Sequence, residues 1–253
     1  MSFVRLVRTL LVTAALTVGL AASSQASVIL YDSGAGLTAS ADFNVSGSTL
    51  TILLTNTSTA PFGGQDGSAN MVLSSLSFDL PTGVNITGGT VALGPGSNIV
   101  MSTNTTAWAI QSPTNFNSQY GYSNVGVGNT GGGSLVNATN AVTSHSNGGN
   151  NVITFTGATG LPGGLDWGLV PNGSSDIGNN SFFIQNSVLL TLTLSAPLAD
   201  LSFLANGSYV EFGSDYLYVP NTPGTPVPEP ASLLLVGSGA LALAARARRR
   251  RRQ

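Results

Sequence analysis

The chain has 253 residues, with 8 Lys+Arg against 10 Asp+Glu and a formal net charge of -2 at pH 7. All eight cations are arginines, at positions 5, 8, 246 and 248 to 252, so nine acids between Ser27 and Pro226 stand without a base. Such a segment cannot displace counterions from a phosphate backbone, which excludes nucleic acid as its partner, and zero cysteines with one histidine exclude disulfides, thiolate chemistry and a multi-histidine zinc centre.

Arg5 and Arg8 precede a largely apolar stretch from Thr9 to Ala22, and Ser24-Gln25-Ala26 follows. A basic start, a short apolar run and small residues at Ser24 and Ala26 predict a secretory signal peptide over 1–26. The general secretion machinery would read it, and signal peptidase would cut after Ala26.

From there the pattern is β. Thr49 to Asn56 alternates Leu50, Ile52 and Leu54 with Thr49, Thr51 and Thr55, and Val188 to Ser195 alternates Val188, Leu190, Leu192 and Leu194 with Thr191, Thr193 and Ser195. Period two in Thr- and Val-rich runs is the signature of a half-buried strand. Further strands are expected at Val28–Tyr31, Ala39–Val45, Leu73–Leu80, Val84–Leu93, Ile99–Ile110, Val152–Thr156, Leu201–Leu204, Tyr209–Phe212 and Tyr216–Val219. Many short strands separated by Gly, Asn, Ser and Pro predict one all-β domain over 27–219, an antiparallel sandwich or jelly roll. Ser112 to Asn151 is denser in Gly, Asn and Ser and reads as a surface excursion with a few pinned strands.

Chemistry-bearing residues are sparse. Leu30-Tyr31-Asp32-Ser33-Gly34-Ala35 resembles the Asp-Ser/Thr-Gly turn of aspartic proteases, but that mechanism needs a second such turn and the chain has none. Asp66-Gly67-Ser68, Asp176 to Asn180 and Asp215 offer oxygen ligands that suit Ca²⁺, without EF-hand spacing, and read as turn formers. His145 sits between serines beside a Gly-Gly turn, an exposed loop histidine with no neighbouring acid in sequence. Trp108, Trp167, Tyr120 and Tyr122 are the aromatics able to stack on a sugar ring, and core packing is their simpler use. The sequons at Asn44, Asn56, Asn85, Asn104, Asn137, Asn172 and Asn206 follow from composition. No catalytic residue, no resident metal and no cofactor is expected.

The C-terminus is the most specific segment. A proline-rich linker, 220–226, leads into Val227-Pro228-Glu229-Pro230, then 15 uncharged residues from Ala231 to Ala245, then Arg246 and Arg248, Arg249, Arg250, Arg251 and Arg252. As a helix the uncharged run spans roughly 22 Å, against roughly 30 Å of bilayer hydrocarbon, so it is a short membrane helix with its arginines held on the cytoplasmic side. Residues 227–253 resemble the PEP-CTERM sorting signal of Gram-negative bacteria. The resemblance implies that an exosortase recognises Pro228-Glu229-Pro230, removes the tail, and passes a transiently inner-membrane-anchored protein to the cell surface, outer membrane or extracellular matrix, usually beside exopolysaccharide. The expected work of the β-domain is structural or adhesive and polysaccharide-associated, without catalysis. Two other readings are a secreted glycosidase-like hydrolase using paired carboxylates, and an ice-active protein built on Thr49-Leu50-Thr51 and Thr191-Leu192-Thr193.

Overall fold

The computed structural model describes residues 25–59, 71–101, 109–112, 116–124, 138–144, 152–159, 166–171, 181–213 and 217–222. The expected signal segment before Gln25 and the tail beyond Thr222 lie outside them, and with them the two terminal helices expected from sequence. Among the described residues no helix is long and apolar enough to cross a membrane.

The first three strands form a meander: β1 (Gln25–Asp32), β2 (Thr38–Ser46) and β3 (Thr49–Asn56). Gly47, at φ 59, makes the tight β2–β3 turn in a conformation that only glycine adopts at no steric cost. Next come β4 (Leu73–Phe78), β5 (Ile86–Leu93), β6 (Asn98–Met101), β7 (Ala109–Gln111), β8 (Gly121–Ser123) and β9 (Asn140–Thr143). The remainder are β10 (Ile153–Thr154), β11 (Leu169–Val170), β12 (Phe182–Gln185), β13 (Ser187–Leu194), β14 (Ser208–Phe212) and β15 (Leu217–Thr222).

The expected β domain forms, and its strands make one strongly curled mixed sheet, a half-barrel. The hydrogen-bonded path runs β5-β13-β3-β2-β1-β15-β14-β4-β11-β12-β6-β7, with β9, β8 and β10 branching from β4. All ladders are antiparallel except β11–β12, where Leu169 and Val170 run parallel to Ile184 and Gln185. The curl has a covalent cause. β12 passes into β13 through Asn186, at φ 80, and β5 passes into β6 through Gly94–Ser97, so one ribbon turns a corner and belongs to both ends of the path. A Cβ on Gly94 would collide with the Ser187 hydroxyl, which fixes glycine at that bend.

Inside the curl lies the main apolar core, and among the described residues Ala138 and Tyr218 form a small separate cluster. Leu50, Ile52 and Leu54 of β3 and Val188, Leu190 and Leu192 of β13 face it, as their alternation predicts. Phe43 of β2 meets Phe78 of β4 edge-on, ring centroids 5.9 Å apart, joining the two arms of the sheet across the core.

Some sequence expectations need correction. Leu201–Leu204 is a 3₁₀ turn (Ser202–Asn206), because Asp200 accepts the Ser202 N–H and Gly207, at φ 108, ends the turn. Leu201, Phe203 and Leu204 are all buried, whereas adjacent residues of a strand would face opposite sides. The run 99–110 divides into β6 and β7. In the Ser112–Asn151 excursion the described residues include the pinned strands β8 and β9, with Phe116, Tyr120, Tyr122 and Val142 buried and Ser118 and Thr139 exposed, and the remainder lies outside the described residues.

Candidate functional site

Two features of the fold bear on function: where the chain leaves the domain, and what the sheet turns toward solvent. β15 ends at Thr222 opposite Leu30 of β1, with Asn221 opposite Tyr31. The Thr222 hydroxyl donates to the Leu30 carbonyl at 2.8 Å. Below them, Tyr31 and Ser208 of β14 share a buried hydroxyl–hydroxyl bond of 2.8 Å. Burial pushes the Tyr31 phenol well above its ordinary range, which the Ser208 contact only partly offsets. Because β1 and β15 are antiparallel, the start of β1 and the end of β15 point the same way. The end of β15 therefore points toward the end of β1 at which the chain enters, five residues short of Gln25. Pro220 lies where the β14 ladder stops and the β1 ladder begins, a place where a missing N–H is tolerated.

Ala26, the residue before the expected signal cut, is in β1 opposite Asn44. Ser24, Val227, Pro228, Glu229, Pro230, Arg246 and Arg248 to Arg252 lie outside the described residues, as do Trp108, His145, Asp66, Asp176 and Asp215.

The outer face of β5, β13, β3, β2 and β1 is open to solvent and ordered in rows. Thr90, Thr191, Thr51 and Asn44 stand side by side on four successive strands. Next to that row runs an apolar one, Ala92, Leu189 and Leu53, continued by Asp42 and Val28. On the other side Thr193 faces Thr49, and Thr49 faces Ser46. The two Thr-x-Thr segments, far apart in sequence, are thus directly opposed in register.

The remaining sequence candidates are engaged elsewhere. The Asp32 carboxylate accepts the Gly34 N–H at 2.8 Å, an Asx turn, so the protease-like motif is a turn at the end of β1. Asp79 accepts the N–H and hydroxyl of Thr139 at 2.7 and 3.0 Å. Asp200 is fully exposed and held below the usual carboxylate range, mainly by its side-chain bond to Ser202 and then by the Ser202 N–H. Glu211 is buried on β14 beside Ser75 of β4. Among the described residues no three His, Cys, Asp or Glu side chains are grouped to hold a metal ion.

The described aromatic candidates pack against the core. Trp167, at φ 68, is stacked between Phe116 and Phe182, centroids 5.7 and 5.1 Å away and rings nearly parallel, so both its faces are covered. Tyr120 is buried and donates to the Trp167 carbonyl at 2.8 Å, and burial raises its phenol far above the ordinary value. Tyr122 stacks on Phe155. Asn56, one of the sequon asparagines, is 2 % exposed with its amide donating to Met71 and Leu169 carbonyls, so it cannot carry a glycan in the folded domain. Sequence reasoning did not single out the structural asparagines Asn56, Asn124 and Asn140, because nothing separates them from the many loop asparagines around them.

Set against known protein families, residues 226–251 match the PEP-CTERM protein-sorting motif. The C-terminal segment is a PEP-CTERM sorting signal. No curated protein and no solved structure matches the chain. A PEP-CTERM protein is exported, processed by an exosortase and sorted to the cell surface. Here the matched segment begins four residues after β15 ends at Thr222.

Proposed function

We propose that the β-domain is a non-catalytic structural or adhesive module that works in the extracellular matrix, associating with exopolysaccharide after its PEP-CTERM tail is removed. The observation that carries this reading is the contrast between the two sides of the sheet. Described aromatics and buried polar groups serve the interior, while the broad outer face carries hydroxyls, an amide and aliphatic side chains with one acid in its three central rows. Hydroxyl and amide groups both donate and accept, which matches the hydrogen-bonding of sugar hydroxyls. Three of the described acids, Asp32, Asp79 and Asp200, are tied to turns and neighbouring loops, which supports a non-catalytic role. The test is co-sedimentation of the mature exported protein with the host's own extracellular polysaccharide, together with an assay for release of reducing ends. Retention without hydrolysis is expected. Release of reducing ends would favour a hydrolase with paired carboxylates.

A second reading has its own observation. Thr191 opposite Thr51 and Thr193 opposite Thr49 form a small regular array of hydroxyls and methyls, spaced roughly 4.8 Å across strands and roughly 6.7 Å along them, able to order water. Thermal hysteresis of the mature protein tests this ice-active reading directly.

A further inference from the structure

We infer that the outer face of β5, β13, β3 and β2 is the ligand surface, and that its occupant is a neutral, extended polysaccharide chain laid across the strands. This rests on the polysaccharide-associated reading above and assigns it a place, a direction and a charge class.

The direction follows from the rows. Four side chains, Thr90, Thr191, Thr51 and Asn44, lie on neighbouring strands, so a polymer crossing them meets a hydrogen-bonding group at roughly 4.8 Å intervals over roughly 14 Å. The parallel row, Leu189 and Leu53, is roughly one two-residue step away and is only partly exposed. A sugar ring has an apolar C–H face and a polar rim. Laid along these rows, it sets its C–H face on the leucines and its hydroxyls toward the threonines. Asp42 directly continues the leucine row and is exposed, placing a carboxyl group where sugar hydroxyls can donate to it.

The charge class follows from what surrounds the face. Between residues 9 and 245 there is no Lys or Arg, and nine acids stand between Ser27 and Pro226. A uronate or sulfated polymer brings negative charge to a body that offers it no cation, and its nearest charged neighbour would be Asp42. Like charges repel without a partner. A neutral chain meets no such cost. The same rows argue against a protein occupant, because Tyr, Trp and Arg anchors typical of protein interfaces are missing from all three. The strong curl of the sheet argues against ice, whose lattice is flat, whereas a polymer follows the twist.

The experiment uses the mature exported protein, and three variants of it, with cellulose, mannan and alginate as probes. The variants are the double substitution T51A/T191A, the charge reversal Asp42→Lys, and Ile110→Thr on β7 as a control off the face. Unchanged melting temperature establishes that each is folded. The expected result is binding to a neutral glycan, weakened about tenfold in T51A/T191A by the loss of two hydrogen bonds of ordinary net worth, unaffected in Ile110→Thr, and alginate retention gained only in Asp42→Lys. Neutral-glycan binding that survives T51A/T191A unchanged overturns the face assignment and leaves the polysaccharide reading standing. Alginate bound as tightly as the neutral glycans overturns the charge class. Failure to bind any polysaccharide removes both readings together, and thermal hysteresis abolished by T51A/T191A would then reassign the face to ice.

Discussion

Asn56 carries more of the fold than its place at the end of a strand implies. Its amide donates to the Met71 and Leu169 carbonyls at 3.0 and 2.8 Å, its oxygen accepts the Ser58 N–H at 3.1 Å, and its own N–H donates to the Asn186 carbonyl at 3.0 Å. It therefore ties β3 to the start of β4, to β11 and to the corner before β13. Replacing it with alanine leaves two buried carbonyls without donors, and we expect a loss of about 2–4 kcal/mol in chemical denaturation. Leucine at that position should do no better, because it fills the space and satisfies nothing. Tyr31 and Tyr120 act at the same scale through pH. Both phenols are buried and their folded values are raised, so both stay neutral in the native state while the unfolded chain ionises near the ordinary value of 10.0. Their contribution is intact below that value and is lost as pH rises above it. Stability measured by urea titration should hold up to about pH 9 and fall progressively beyond pH 10. None of these residues announces its role in the sequence. An asparagine before Thr-Ser reads as a sequon or a turn, and only the chain's path around the corner brings Leu169 to it.

At the scale of elements, alternation was legible where a strand has one dry face and one wet one. β3 and β13 follow it residue by residue, since every second side chain enters the core. Where both faces are covered no wet face shows, yet the strand expected at Leu73–Leu80 forms as β4; the reading failed where the strand is too short to show a period. β4 is buried throughout, β8 and β9 are three and four residues long inside a Gly- and Asn-rich stretch, and β11 has only two. A bulge adds to the difficulty: Ser75 pairs with Glu211 while Leu73 pairs with Phe212, so Ser74 is an extra residue. Its hydroxyl lies within bonding distance of the Glu211 and Gly213 carbonyls, at 3.2 and 2.7 Å, and holds β14 across the defect. The outer edge of β5 is treated differently. There the Asn124 side chain imitates a strand, accepting the Ile86 N–H at 2.9 Å and donating to its carbonyl at 2.8 Å, and Asn117 accepts the Val91 N–H at 2.7 Å. An uncovered strand edge recruits other chains. Asn124→Ala should therefore raise concentration-dependent self-association, read by analytical ultracentrifugation, beyond what its modest loss of stability explains.

For the molecule as a whole, sorting was readable from the C-terminal end because that signal is linear and local. A Pro-Glu-Pro before an apolar run needs no folding to be recognised. The outer face is the opposite case: Thr49-Leu50-Thr51 and Thr191-Leu192-Thr193 become one surface only through the register of β3 against β13. Replacing Glu229 with alanine alters the sorting tripeptide without touching any described residue. We expect an uncut, membrane-retained form on cell fractionation, with the β-domain equally resistant to protease in both forms. Normal trimming of that variant would show that the tripeptide is not what the exosortase reads here.

The position of β15 has a mechanical consequence. Its residues are gripped by β14 over Leu217–Pro220 and by β1 at Asn221 and Thr222, both antiparallel, and the chain continues from its C-terminal end toward the sorting signal. Tension applied there acts along the strand axis, so the bonds of both ladders resist together in shear instead of parting one after another. A domain attached by this end and dragged by a polymer on its outer face would bear load until it yields in one abrupt event, as befits a rivet in a stretched gel.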